Sequence, residues 1–173
     1  MNRQKLTRIG LTIVCIPIAA MWVYAFGFAS RESVNKIGDT AWQARAQTIC
    51  LEAQNFRFSL EDLSEMNPTD TNAMAKKADI VDKATDSLEA AINKIAEVSP
   101  TDEKGKAIVP NWIADYRVYI ENRRQFSEDL RTATRRPYFS ETEVEGVPIS
   151  ERIGKFAREN DMKACQPPVD LSV

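Results

Sequence analysis

Three sets of side chains in this chain are of types that could do chemistry. The first is the cysteines, Cys15, Cys50 and Cys165. The second is the alternating glutamates Glu141, Glu143 and Glu145. The third is the aromatic set Trp112, Tyr116, Tyr119 and Phe126. Cys50 and Cys165 fall in the polar part of the chain, and two thiols in an oxidising compartment read as one disulfide. The competing reading is two buried free thiols. Thiol–disulfide catalysis has less to stand on, because no CxxC pair shares a site. Closing so long a loop would contribute up to about 4–5 kcal/mol by loop entropy. Cys15 lies in an apolar run. A lipobox would need a small residue where Val14 stands and a longer apolar run before the cysteine.

The glutamates of ETEVE would share one face if extended and could then hold a hard cation. Calcium loops use more oxygens and a specific glycine, so a solvated acidic edge is the plainer reading. The aromatic set could line an apolar pocket, but its spacing is that of a helix face turned to a core. Arg45 and Arg57 have no evident local partner and are expected at the surface. The chain has no histidine, which excludes a histidine base, histidine-containing zinc sites and histidine haem ligation. Its six glycines form no phosphate loop. No catalytic residue, metal ligand or cofactor site is therefore assigned.

The elements that would carry these residues begin with residues 9–29, IGLTIVCIPIAAMWVYAFGFA, which hold no charge. As a helix this run spans roughly 31 Å, against roughly 30 Å of bilayer hydrocarbon. Gly27 and Ala29 would suit cleavage before Ser30, but the run is longer than a secretory apolar segment, so a retained anchor is expected. Arg3, Lys5 and Arg8 precede it with no acid among them, which predicts residues 1–8 in the cytoplasm and the remainder outside. Trp22, Tyr24, Phe26 and Phe28 crowd the exit, where amphipathic rings suit the membrane interface. Pro17 is tolerated in a membrane helix, with a slight kink.

Setting aside those three basic residues, the remainder has 20 basic and 25 acidic side chains, a net of −5. That balance argues against nucleic acid or anionic lipid as partner. After a junction at 30–39, apolar steps of three and four predict a first helix over 40–66: Ala41, Trp42, Ala46, Ile49, Ala53, Phe56, Leu60 and Leu63. Gly38-Asp39 supplies its break and cap, and Asn67-Pro68 its end. A second helix is expected over 72–98 on Met74, Ala78, Val81, Ala84, Leu88, Ala91, Ile92 and Ile95. A third should start near Pro110 and bury Trp112, Ile113, Tyr116, Tyr119, Ile120, Phe126 and Leu130, closing at Arg136-Pro137. The stretch 137–149 reads as an ordered loop with a short extended piece. Ser150 should cap a short helix over 151–159 that stops at Asn160. The expected fold is all-α: an N-terminal single transmembrane helix, then an extracytoplasmic antiparallel three- to four-helix bundle over residues 40–173 with an irregular tail.

The run MWVYAFGFASRESVNKIGDTAWQARAQTIC resembles the start of a set of small single-span envelope proteins of actinobacteria. The landmarks are the aromatic exit, the ESVNKIGD junction, Trp42 with Arg45-Ala46, and Cys50. FARENDMKACQPP, with Cys165 before two prolines, is similar to the end of the same set. Residues 64–109 carry none of the likeness. Some of these proteins resemble the accessory factor of the actinobacterial respiratory supercomplex of cytochrome bcc and cytochrome oxidase. The resemblance implies a non-catalytic subunit, without a redox centre, lying in the lipid bilayer beside other integral membrane proteins. It supplies no catalytic residues. The alternative is an extracytoplasmic ligand-sensing or ligand-binding helical domain.

Overall fold

The computed structural model describes residues 3–28, 33–60 and 69–169. It divides into two units, residues 1–34 and 35–173. Among its described residues the first contains one helix, α1 (Arg3–Gly27). Its stretch Gly10–Gly27 has a mean hydropathy of 1.8 with none of it buried, so α1 is long and apolar enough to cross a membrane. Pro17 sits inside the helix. The helix ends two residues before the expected limit, with Phe28 in a turn, and Ala29 lies outside the described residues.

The second unit is mostly helical. Helix α2 (Thr40–Ser59) starts as expected: the Asp39 carboxylate accepts from the Trp42 amide at 2.9 Å. It buries Trp42, Ala46, Ile49, Cys50 and Ala53, whereas Ala41 and Phe56 are exposed. It stops at Ser59, short of the expected 66, and Leu63 and Asn67-Pro68 lie outside the described residues. In helix α3 (Thr71–Ala96) Asp70 caps the amides of Asn72 and Ala73. All eight residues of the expected α3 stripe are buried.

Helix α4 (Glu103–Thr132) corrects the expected start at Pro110. Asp102 accepts from the Gly105 amide at 2.8 Å and begins the helix a full two turns earlier. Pro110 falls on the exposed side of α4, where the carbonyl left without its amide partner can face water. The seven apolar residues expected on its inner face are all buried. The helix ends at Thr132, four residues before the expected close at Arg136. Strands β1 (Glu143–Val144) and β2 (Val147–Pro148) form a small antiparallel hairpin inside the expected loop. Its turn places Glu145 and Gly146 at φ of 56° and 75°, a geometry that favours glycine at the second position. Helix α5 (Ile149–Glu159) follows. It is not capped by Ser150; instead the Glu141 carboxylate reaches across and accepts from the Ser150 amide at 2.8 Å and hydroxyl at 2.9 Å.

Side-chain contacts define how the helices meet. Arg124 pairs with Asp86 and Glu89, Ser127 donates to the Ala78 carbonyl, and Arg131 pairs with Asp79 and Asp82. From Arg124 to Arg131 the ion-pair partners on α3 step back from Asp86 and Glu89 to Asp79 and Asp82, so the two run antiparallel. Likewise Trp42 Nε1 donates to Val98 O at 2.7 Å while Lys94 faces Glu52, which sets α2 antiparallel to α3. Helix α5 lies against α4 through Arg152 with Asp115 at 3.1 Å and Trp112 Nε1 with Ile153 O at 3.3 Å. The alanines of α2 and α3 keep these approaches close. The main core joins α2, α3, α4, α5 and a 3₁₀ turn (Lys163–Cys165), and a smaller one groups Met74, Ala78, Val81, Phe126 and Leu130 under Phe139.

Candidate functional site

Each sequence-derived site residue now has a place. Trp22, Tyr24, Phe26 and Phe28 are exposed on and just after α1, and Trp22 stacks on Phe26 with ring centroids 5.1 Å apart. Cys50 and Cys165 are joined in a disulfide, with Cα atoms 5.1 Å apart. Helical spacing from Ala46 turns Cys50 inward, and the 3₁₀ turn carries Cys165 to it; both are buried. The Tyr116 hydroxyl donates to the Cys165 carbonyl at 2.5 Å, and burial pushes its phenol pKa up, out of reach of ordinary titration. Gln47 accepts from the Ala164 amide at 2.9 Å. The tail is therefore fastened to α2 and α4 at several points.

A dense set of polar contacts lies at residues 35–39, where the second unit begins. The side chain of Asn160 is its hub. Its Oδ1 accepts from the Ile37 amide at 2.9 Å and Gln43 Nε2 at 3.2 Å. Its Nδ2 donates to the carbonyls of Asn35 at 2.8 Å and Phe156 at 2.9 Å. Asn35 also reaches Glu159, and Lys36 pairs with Asp161. On the other side two aspartates each hold the loop before the other's helix. Asp39 accepts from the Thr101 amide and hydroxyl, and Asp102 accepts from the amides of Gly38 and Asp39. Each carboxylate thus caps its own helix and holds the neighbouring loop. Gly105 permits this close approach, since a Cβ there would stand 2.6 Å from both Asp102 Oδ1 and Pro100 Cβ.

Charge follows this geometry. The amides of Trp42 and Thr101 hold the Asp39 carboxyl below its ordinary value. At Asp102 desolvation pushes up, but the amides of Gly105, Gly38 and Asp39 outweigh it and the net direction is down. Lys36 lowers Asp161. By its letter Asn160 is expected only to stop a helix, and Asp102 is not singled out. The polar run SVNKIGD, too specific for a plain linker, and an aspartate three residues before Gly105 are the signals that could have found them.

The other expected residues separate. Glu141 caps α5, Glu143 lies in β1 and Glu145 in the turn, so they do not form one extended acidic face. Among the described residues no group of three or more His, Cys, Asp or Glu side chains is placed to hold a metal ion. Trp112, Tyr116, Tyr119 and Phe126 are buried, with Trp112 edge-on to Tyr116 at 5.1 Å. Arg57 is buried rather than at the surface. Arg45 is half-buried, and its guanidinium donates to the carbonyls of Lys94 and Ile95, which end α3. An open surface pocket of about 310 Å³ lies between Phe139 and Glu141 of the loop, Gly154 and Arg158 of α5, and the tail at Pro167 and Pro168.

No family model, curated protein or solved structure matches the chain.

Proposed function

We propose that this protein is a non-catalytic, membrane-anchored accessory subunit of an envelope membrane complex. The observation that carries the reading is α1: an apolar helix of membrane-crossing length whose stretch Gly10–Gly27 is unburied. The lipid bilayer and the helices of other integral membrane proteins are its natural surroundings. Residues 1–8 lie in the cytoplasm by positive-inside bias, and the body is an antiparallel helical bundle on the extracytoplasmic side. The disulfide supports an oxidising compartment for the body. The sequence resemblance makes the actinobacterial cytochrome bcc–oxidase supercomplex the first assembly to test.

The test is purification in mild detergent through a C-terminal tag at native expression, followed by mass spectrometry. Integral membrane proteins in fixed ratio to the chain are expected. Recovery of the chain alone, or its release from membranes by salt or alkaline carbonate, would overturn the reading. One observation favours a second reading as a ligand-binding domain. The pocket of about 310 Å³, beside loop 137–149, is at the lower end of ligand-site volumes. A thermal shift in a metabolite screen, lost in Arg158→Ala, would select that reading.

A further inference from the structure

A protease takes its substrate as extended backbone, so a bond inside a helix is cut only from an opened state. The basic residues of this protein are sorted by that rule. Among the described residues the lysines and arginines lie in helices or in the 3₁₀ turn, except for Lys36, Arg135 and Arg136. Lys36 is paired with Asp161. The other arginine doublet, Arg123-Arg124, is locked in α4, with Arg123 buried and Arg124 held by Asp86 and Glu89. Arg135 and Arg136 are placed differently. They follow the end of α4 and precede β1, and neither has a hydrogen bond or ion pair among the described residues. Nor does the backbone of residues 134–141 make a hydrogen bond among them. Backbone bonding stops at the Ala133 amide, on Asp129 O at 2.9 Å, and resumes at the Thr142 amide, on Asn122 Oδ1 at 2.8 Å. Arg135 is exposed, and Tyr138 is 97% exposed. Phe139 then pins the segment back to the body, edge-on to Phe126 with ring centroids 5.6 Å apart.

We propose that the Arg135–Arg136 peptide bond is a processing site for an endoprotease that selects a basic side chain at the residue before the cut. The reaction is hydrolysis. The C–N bond breaks, the Arg135 carbonyl carbon takes a hydroxyl from water, and the Arg136 nitrogen leaves as an amine. The next bond, Arg136–Pro137, is closed to such an enzyme, because proline has no N–H and its ring fixes the backbone. One bond is therefore offered, not two. The fold also supplies what keeps the cut protein whole. The Cys50–Cys165 disulfide spans the cut, with one cysteine on each side. The part after the cut gives Ile149, Ile153, Phe156 and Met162 to the main core, and its Asn160 still holds the Ile37 amide. None of these contacts depends on the loop being continuous. The product is two chains tied by one disulfide, with the helices in place and a new amine at Arg136.

The full chain, isolated from native membranes through a C-terminal tag, is run on denaturing gels with and without reductant. Without reductant one species is expected. With reductant a tagged fragment covering residues 136–173 should separate, and sequencing should place its N-terminus at Arg136. Arg135→Gln should reduce that fragment at least tenfold while the melting temperature stays unchanged, since the side chain is exposed and gives up no partner among the described residues. Pro137→Ala should open the neighbouring bond and add a second new N-terminus one residue later. A chain that stays intact after reduction would overturn the proposal. So would a fragment that persists in Arg135→Gln, which would mean that the loop is cut without regard to the arginine. A fragment that separates before reduction would overturn the two-chain product.

Discussion

The junction at residues 35–39 and the seam between α3 and α4 are both rich in polar contacts, but they are built differently. At the junction, side chains hold backbone groups, and the hub Asn160 is 0% exposed. On the seam the ion pairs lie at the surface, outside the buried bonds of Ser127 to the Ala78 carbonyl and Arg123 to Thr85: Arg131 reaches Asp79 and Asp82 with its own side chain 31% exposed and that of Asp79 65%. Buried bonds to backbone amides have no water to replace them if broken, whereas exposed ion pairs exchange readily with water and salt. The junction should therefore carry stability, and the α3–α4 pairs should chiefly set register.

The largest effect is expected on the junction side, where the disulfide ties Cys165 to Cys50 across a sequence separation of 115. Cys165→Ser should lower stability by about 2–5 kcal/mol in urea denaturation followed by circular dichroism. Asn160→Ala comes next. It leaves the Ile37 amide and the Asn35 carbonyl without their partner, at a cost of about 2–3 kcal/mol by the same measurement. If Asn160→Ala proves no more damaging than a surface substitution, the contrast between the two regions fails.

Acid provides a sharper comparison. The carboxyls of Asp39, Asp102 and Asp161 are lowered in the folded protein from an ordinary 3.8. A depressed carboxyl contributes stability that is complete above its unfolded value and is lost as pH falls through the folded one. The melting temperature should hold from pH 7 to about 5 and fall below about 4. Asp82 on the seam is lowered too, with desolvation pushing up and the bonds from Ser127 and Arg131 prevailing, so acid alone strikes both regions. Asp102→Asn separates them. It removes one titrating group from the junction only, and should flatten the acid fall measurably; an unchanged acid limb would mean that the carboxylates of the seam dominate.

The repeating part of the structure is legible in the sequence. Each expected apolar residue of α3, and of α4 from Trp112 to Leu130, is buried, because helical period and burial are one signal. The cysteine pair is legible because few residues compete for the assignment. What escapes depends on contacts between residues far apart in the chain. Asp102 starts α4 ahead of Pro110 while also serving Gly38 and Asp39, more than sixty residues away. Glu141 does the capping that Ser150 would be expected to do. Arg57 looks like a surface residue by type, yet it is buried.

The smallest effect should come from Arg131, and it is the most discriminating because so many contacts predict otherwise. This guanidinium touches Asp79, Asp82, Glu128 and Ser127, and a count of bonds would make it a keystone. These carboxylates and the arginine are at least partly in water, and holding the long side chain in place costs rotamer entropy. Arg131→Ala should therefore cost no more than about 1 kcal/mol, and the difference from wild type should shrink in 1 M salt, where charges are screened within about 3 Å. Asn160→Ala, which breaks uncharged buried bonds, should keep its full cost in the same salt. A loss at Arg131 above 2 kcal/mol that persists in salt would mean that the surface network binds as strongly as the buried hub, and the two regions would have to be read as one.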